Sequence, residues 1–175
     1  MRVEWLALPA ALFLAQPAGA ALSTTWEMES EEDKEWKEIE AQLPRTPHDK
    51  DLVLVDMGPS AAHRFFVDPP SLSVGSDGVV RYTAVVKTAG GALNVTFEGM
   101  RCETREHKIY ALGRKDGSWV RARAPNWKRI TRDQPYHYTL YREYFCTSHS
   151  RPTPPKQAIE AMRRGVGLGT SFTID

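Results

Sequence analysis

The chain has two cysteines, Cys102 and Cys146, and both follow an apolar N-terminal leader typical of exported proteins. Export leads to an oxidising compartment, where two cysteines most simply form one disulfide. A redox-active pair is the alternative, but the two residues lie far apart in sequence and form no C-x-x-C motif. A Cys102–Cys146 disulfide would tie two distant segments together, so it restricts the folds that the chain can adopt.

The N-terminal leader has the three parts of a secretory signal peptide. Arg2 supplies positive charge, residues 5–15 form an apolar run, and an A-x-A-type sequence predicts cleavage after Ala20. The apolar run is shorter than the roughly 20 residues that a bilayer-spanning helix needs. An uncleaved anchor at the membrane surface is the alternative. We therefore expect a signal peptide and a mature protein of the periplasm or cell envelope.

Charge is unevenly distributed in this chain, although its net charge is only +1. Residues 27–40 are rich in Glu and Asp, whereas residues 101–132 are rich in Arg and Lys. Two interpretations stay open: an acidic arm that docks on a basic face, and two separate solvated surfaces. Basic residues near Trp119 and Trp127 could also bind single-stranded nucleic acid. Export argues against that partner, and we expect no nucleic acid.

The acidic segment has a local pattern of its own. A sequence resembling a capping box begins at Ser30, and Trp36, Ile39 and Leu43 follow at helical spacing. This pattern predicts a short amphipathic helix that ends before Pro44.

From residue 52 the apolar pattern changes to that of strands. Asp77-Gly78 lies between two β-rich runs and predicts a hairpin with a type I′ turn. In the strand that follows, Val80, Tyr82 and Ala84 should share one face because side chains alternate along a strand. Further turns at residues 90–91 and 116–117 extend an antiparallel meander over roughly residues 52–122.

The strand around Gly99 departs from simple alternation. Val95 and Phe97 have one parity, but Met100 and Cys102 have the other. A strand with a period of two changes its apolar face only where an extra residue is inserted. We therefore predict a β-bulge at or beside Gly99.

The C-terminal part is predicted to be helical. Asp133 can cap a first helix, whose apolar stripe ends at Cys146. Thr153-Pro154 opens a second helix, and Gly165 ends it. The apolar stripe of the first helix consists of Leu140, Tyr141, Tyr144 and Phe145.

Catalytic and metal-binding motifs are missing from the sequence. It has no G-x-S-x-G elbow, no H-E-x-x-H and no spaced Cys/His cluster. His137 could share a helix face with Tyr141, which is typical of packing. We therefore predict no catalytic residue, no cofactor and no metal. An enzyme of unrecognised type would require Glu98, Glu103 and His107 to converge in a pocket with perturbed pKa values.

Residues 97–119 are the richest in charged and aromatic side chains. Strand alternation would place Arg101, Glu103 and Arg105 on the face opposite Cys102. Such a face can be a cross-strand charge ladder, or it can bind an anionic group, since arginine suits carboxylates, phosphates and sugar acids. The candidate binding face consists of Arg101, Glu103, Arg105, Tyr110, Arg114 and Trp119.

The same region carries a resemblance to a known family. FEGMRCETREHKIYALGRKDGSW, RFFVDPPSLSVGSDGVVRYT, WKEIEAQLP and LYREYFC resemble the CNP-one-like family of small exported proteobacterial proteins, over roughly residues 26–165. The resemblance implies export and a single-domain architecture, and it supplies no active site. A looser similarity in spacing links the chain to the surface-adhesin protein E group and suggests a fold. The positions that match the CNP-one-like pattern are Gly99, Arg101, Cys102, Arg105, Tyr110, Gly113, Arg114, Asp116, Gly117 and Trp119.

Together these observations predict an α+β domain, in which an antiparallel β-meander sheet is followed by C-terminal helices and stapled by one disulfide. The expected function is that of a non-catalytic envelope protein that binds an envelope protein or an anionic envelope component, with possible peripheral membrane association. An enzyme of unrecognised type and a surface adhesin are the alternatives. The predicted segments are a signal peptide (1–20), an acidic N-terminal arm (21–51), the CNP-one-like domain (52–165) and a flexible tail (166–175).

Overall fold

Alternating β-branched and aromatic residues form an antiparallel sheet in the computed structural model, which describes residues 35–59, 61–148 and 150–169. The predicted signal peptide, its cleavage site at Ala20 and the acidic residues before 35 lie outside the described residues, as do residues 170–175 of the predicted tail. The strands are β1 (Val53–Val55), β2 (Arg64–Val74), β3 (Val79–Lys87), β4 (Leu93–Arg101), β5 (Glu106–Gly113), β6 (Trp119–Arg121) and β7 (Lys128–Arg129). β1 to β6 follow one another in meander order, and β7 pairs with β5.

The hairpin between β2 and β3 is confirmed at Asp77-Gly78, but its predicted type I′ turn is wrong. Gly78 has a φ of +73°, whereas Asp77 does not have a positive φ. The amide of Gly78 donates to the carbonyl of Gly75 at 3.0 Å. A single left-handed glycine therefore closes the turn, and Asp77 is free to use its carboxylate elsewhere.

Two helical stretches follow the sheet, as predicted. α1 (Pro135–Thr139) runs directly into a π-helical segment (Leu140–Phe145), and α2 spans Pro155–Arg164. Gln134 rather than Asp133 occupies the N-cap of α1, because Pro135 takes the first helical position. Gly165 ends α2 in the left-handed conformation. In the part of the chain described here, no helix combines the length and the apolar character that crossing a bilayer requires.

The main core lies between one face of the sheet and these helices, and we call this side the helix face. Tyr82 and Met100 from the sheet pack there with Leu140 and Phe145 of the π-helical segment. The Cys102–Cys146 disulfide closes this core, because Cys102 follows β4 and Cys146 ends the π-helical segment. The predicted staple between strand and helix is confirmed.

The opposite face of the sheet, the arm face, is covered by residues 36–44 without any helix. Within the described residues, the amphipathic helix predicted for the acidic segment is therefore wrong. The indole N–H of Trp36 donates to the carbonyl of Asp77 at 2.9 Å, and the amide of Ile39 donates to the Asp77 carboxylate at 2.9 Å. These hydrogen bonds to the turn between β2 and β3 take the place of the internal hydrogen bonds of a helix.

A β-bulge does lie beside Gly99, as predicted, but β4 is not the strand that carries the extra residue. Gly99 pairs with Arg81 on one side and Lys108 on the other without interruption. The extra residue is Tyr110, on the neighbouring strand β5, opposite the Phe97–Glu98 step. The apolar parity of β4 changes because the sheet is covered on both faces.

That change in parity is visible in the two cores. Phe97 packs on the arm face with Ala41 and Tyr110, whereas Met100 and Cys102 pack on the helix face. Near Phe97, β4 therefore buries the side chain that faces residues 36–44. From Met100 onward it buries the side chains that face the helices.

Gly99 has no side chain, and the Tyr110 ring occupies the space that one would need. Any side chain at this position should therefore lower the stability of the fold. A Cβ atom at Gly99 would lie 2.5 Å from the Tyr110 hydroxyl and 2.8 Å from its ring. We expect Gly99→Ala to lower the free energy of unfolding by about 1–3 kcal/mol, as overpacking does. Urea unfolding against Gly90→Ala provides the control, because the nearest atom there is 4.0 Å away. Equal stability of the two variants would contradict the prediction.

Candidate functional site

The six residues of the predicted binding face do not form one surface. Arg101 lies on the arm face, with its guanidinium 3.7 Å from the centre of the Trp36 ring and 3.4 Å from the Glu106 carboxylate. Trp119 lies beneath the same segment and donates its indole N–H to the carbonyl of Pro44 at 2.9 Å. Both side chains are engaged by covering or neighbouring residues.

Tyr110 is part of an anchor for the covering segment. Its hydroxyl donates to the Glu38 carboxylate at 2.7 Å, and Lys108 reaches the same carboxylate at 2.7 Å. Burial alone would raise the pKa of Glu38, but hydrogen bonds from Lys108, Tyr110 and Trp127 lower it below its ordinary value. One acidic residue in the described part of the arm therefore docks on a basic residue of the sheet, Lys108, in line with the first of the two open interpretations.

Glu103, Arg105 and Arg114 lie away from the arm face. Glu103 and Arg105 belong to the turn between β4 and β5, where Arg105 has a φ of +55°, so strand alternation does not extend to them. Arg114 is exposed in the hairpin between β5 and β6. Strand alternation thus places Arg101 correctly and fails for the two residues beyond Cys102.

Arg105 instead joins a group of arginines on the outside of α1. Its guanidinium lies 5.3 Å from the Tyr138 ring, and that of Arg142 lies 5.9 Å from the same ring. A hydrogen bond from Arg132, together with the positive charges of Arg132, Arg142 and Arg105, lowers the pKa of Tyr138. We call Tyr138, Arg105, Arg132 and Arg142 the arginine surface.

Among the described residues, four arginines lie close to a carboxylate, and those of the arginine surface are not among them. Arg45, Arg81, Arg101 and Arg121 each lie within 4.0 Å of a carboxylate. Among the described residues, no carboxylate lies within that distance of Arg105, Arg132 or Arg142. The positive charge of this surface is therefore available to an anionic ligand.

A second group of functional side chains is buried on the helix face. Glu98 of β4, His107 of β5 and His137 of α1 bring their ligand atoms within 4.8 Å of one another. The Glu98 side chain is only 3% exposed and lies 2.9 Å from His137 Nε2. Burial would raise the pKa of Glu98, but hydrogen bonds from His137, Thr96 and Tyr82 lower it. The carboxylate is thus held ionised in the interior.

His107 is the unsatisfied member of this cluster. It is 6% exposed, and neither ring nitrogen has a hydrogen-bond partner among the residues that the structure describes. Its ring stacks on that of His137 with 3.7 Å between the centroids. Burial and the neighbouring His137 lower the pKa of His107 to about 4, so its imidazole is neutral at physiological pH.

The structure therefore brings together two of the three acid–base residues considered for an enzyme, Glu98 and His107, while Glu103 lies in the β4–β5 turn. It adds His137, whose position on a helix face with Tyr141 is typical of packing. Glu98 lies two residues before Met100, so both side chains lie on the helix face. Glu98 pairs with Ile109, and His107 lies two residues before Ile109 on the same face of β5. No pattern within the helix indicated that His137 would meet them.

The model of the CNP1-like family matches residues 31–163 of the chain. No curated protein and no solved structure matches the chain.

Proposed function

We propose, from the premise that this chain belongs to the CNP1-like family, that it is an exported, non-catalytic envelope protein that binds a phosphate-bearing envelope component through its arginine surface. The leader sequence and the resemblance support export. The arginine surface supplies the binding chemistry, because guanidinium groups bind phosphate oxygens in a bidentate manner.

One observation carries the proposal: three guanidinium groups surround Tyr138, and the described residues offer them no carboxylate within salt-bridge distance. The positive charges of these guanidinium groups repel one another, and an anionic ligand between them would relieve that repulsion. Arg101 on the arm face is less suitable for binding an anion, because Trp36 and Glu106 already contact its guanidinium. The proposed site thus keeps Arg105 and moves from the arm face to the outside of α1.

The double substitution Arg132→Gln and Arg142→Gln tests this proposal. Both side chains are exposed, so the fold should tolerate the change. The matched control, Arg114→Gln with Arg123→Gln, removes the same charge from exposed positions elsewhere. Each arginine near an anionic membrane contributes about 1 kcal/mol. We therefore expect the first variant to bind vesicles containing phosphatidylglycerol about 30-fold more weakly, and the control to bind less than about 2-fold more weakly.

The vesicle experiment has arms that identify the source of the phosphate. Binding to phosphatidylglycerol vesicles but not to phosphatidylcholine vesicles, with no competition from millimolar glucose 6-phosphate, indicates a lipid headgroup. Competition by glucose 6-phosphate indicates a soluble phosphorylated sugar. Equal weakening by the two double substitutions would mean that net charge alone drives binding, and absence of binding to both probes would refute the proposal.

A further inference from the structure

We propose that Glu98, His107 and His137 bind a divalent transition-metal ion of the zinc class. Two imidazoles and one carboxylate form a ligand set that zinc accepts, with its remaining position filled by water. The site lies on the helix face, under α1, and its argument is independent of the arginine surface.

The unsatisfied imidazole of His107 is the first step of the argument. A buried polar group without a hydrogen bond is destabilising, and the interior of a folded protein seldom keeps one. His107 is only 6% exposed, and both of its ring nitrogens lack a hydrogen bond to the described residues. A metal ion would satisfy one of these nitrogens, since a neutral imidazole is the form that ligates metals.

The distances between the three ligands are the second step. Zinc lies roughly 2.0–2.2 Å from nitrogen and oxygen ligands, so two ligands of a tetrahedral site are separated by about 3.4 Å. The three ligand atoms here already lie within 4.8 Å of one another, and His137 Nε2 lies 2.9 Å from Glu98 Oε2. The rings of His107 and His137 stack with 3.7 Å between their centroids, so binding requires them to rotate until a nitrogen of each points at the same ion.

The surroundings of Glu98 form the third step. Tyr82 donates its hydroxyl to the Glu98 carboxylate at 2.9 Å, and Thr96 donates to the other carboxylate oxygen. Hydrogen bonds of this kind orient a ligating carboxylate and are a regular feature of metal sites. His107 also lines a cavity of about 240 Å³ with Ile109, Leu112 and Pro125, so one of the three ligands borders a cavity.

The balance of ligands also predicts which ions are excluded. Imidazole nitrogens suit zinc, cobalt, nickel and copper, whereas magnesium and calcium prefer oxygen ligands. Glu98 is the only carboxylate of the three ligands, and the other two are imidazoles. We expect zinc and cobalt to bind with a stoichiometry of one per chain, and magnesium not to bind at millimolar concentration.

Titration of the chelator-stripped, oxidised chain with Co²⁺ and Zn²⁺ tests the site. Co²⁺ bound at low coordination number gives visible absorption bands, which Zn²⁺ should abolish by displacement. We expect Glu98→Gln and His137→Gln to weaken Zn²⁺ binding at least about 100-fold, since loss of even an outer-shell partner costs about 10–100-fold. His63→Gln is the matched control, because His63 is exposed, and its Zn²⁺ affinity should change less than about 2-fold.

A measurement on the unaltered chain covers the case in which the buried variants fail to fold. Nitrogen-15 NMR of the imidazoles should show Zn²⁺-dependent shifts for His107 and His137 and none for His63. Absence of saturable one-to-one Zn²⁺ binding would overturn the proposal. Equal binding by folded His137→Gln and the parent chain, or imidazole shifts confined to exposed histidines, would overturn it as well.

Discussion

Replacing Cys102 and Cys146 together by alanine should lower the free energy of unfolding by about 4 kcal/mol. The disulfide joins residues 44 positions apart, and its absence returns the conformational entropy of that loop to the unfolded chain. Both cysteines are buried, so alanine adds no polar group to the core. Urea unfolding of the oxidised parent and the variant measures the difference from the two midpoints and slopes.

Reduction of the parent chain is the control for this prediction. Under reducing conditions the parent should unfold close to the variant, because both then lack the cross-link, while the reductant should not change the variant. Identical urea midpoints for the oxidised parent and the variant would contradict the stabilising role of the disulfide. The closed loop also contains His107 and His137, so the cross-link restricts the segments that carry the buried cluster.

Features that depend on nearby residues were predictable from the sequence. The glycine-terminated hairpin at Asp77-Gly78 and the stop of α2 at Gly165 follow from the rarity of left-handed backbone in other residues. The disulfide followed from the presence of only two cysteines. The order of the antiparallel strands followed from short turns between alternating runs, because short connections leave few other topologies.

Features that depend on what covers each face were not predictable in the same way. The spacing of Trp36 and Ile39 fits a helix, yet both residues donate hydrogen bonds to Asp77, which lies 38 or more positions away, and the segment forms no helix. The parity of β4 resembled a bulge because the sequence does not show that both faces of the sheet are covered. The spacing of apolar residues shows only their periodicity along the sequence. Tertiary hydrogen bonds decide which of the conformations compatible with that periodicity the segment adopts.

The two candidate sites show the same limit. Arg105 leaves the strand pattern because residues after Cys102 turn, and its neighbours Arg132 and Arg142 come from a different segment. Glu98, His107 and His137 likewise come from two strands and a helix. A site assembled from separate elements leaves no motif in any one of them, so its detection required the pairing register and the docking of α1.

Replacing Asp77 by alanine should have an effect of similar size to the loss of the disulfide, about 3–5 kcal/mol. The Asp77 side chain is 1% exposed and pairs with Arg81, itself 8% exposed, at 2.6 Å. Loss of the carboxylate leaves a buried guanidinium without its counter-charge, which is strongly destabilising. The same substitution removes the acceptor of the Ile39 amide, so residues 36–44 should also lose protection against hydrogen exchange.

The pH dependence of the stability lost in Asp77→Ala distinguishes the loss of the Asp77–Arg81 ion pair from a packing defect. Burial would raise the pKa of Asp77, but the hydrogen bond from Arg81 and those from the backbone lower it below the ordinary value of 3.8. A carboxyl whose pKa is lower in the folded chain stabilises the fold above the unfolded-state pKa and loses that contribution as pH falls through the folded-state pKa. The stability difference between parent and Asp77→Ala should therefore be constant near pH 7 and shrink below about pH 4.

Glu40→Gln is the matched control, because Glu40 lies 3.8 Å from Arg121 in a pair that is exposed on both sides. An exposed pair of this kind contributes at most about 1 kcal/mol, so this variant should unfold close to the parent at every pH. Urea unfolding between pH 3 and pH 7 measures both variants against the parent. A loss at Asp77→Ala that stays the same across this range would show that packing, and not the Asp77–Arg81 pair, holds residues 36–44 on the sheet.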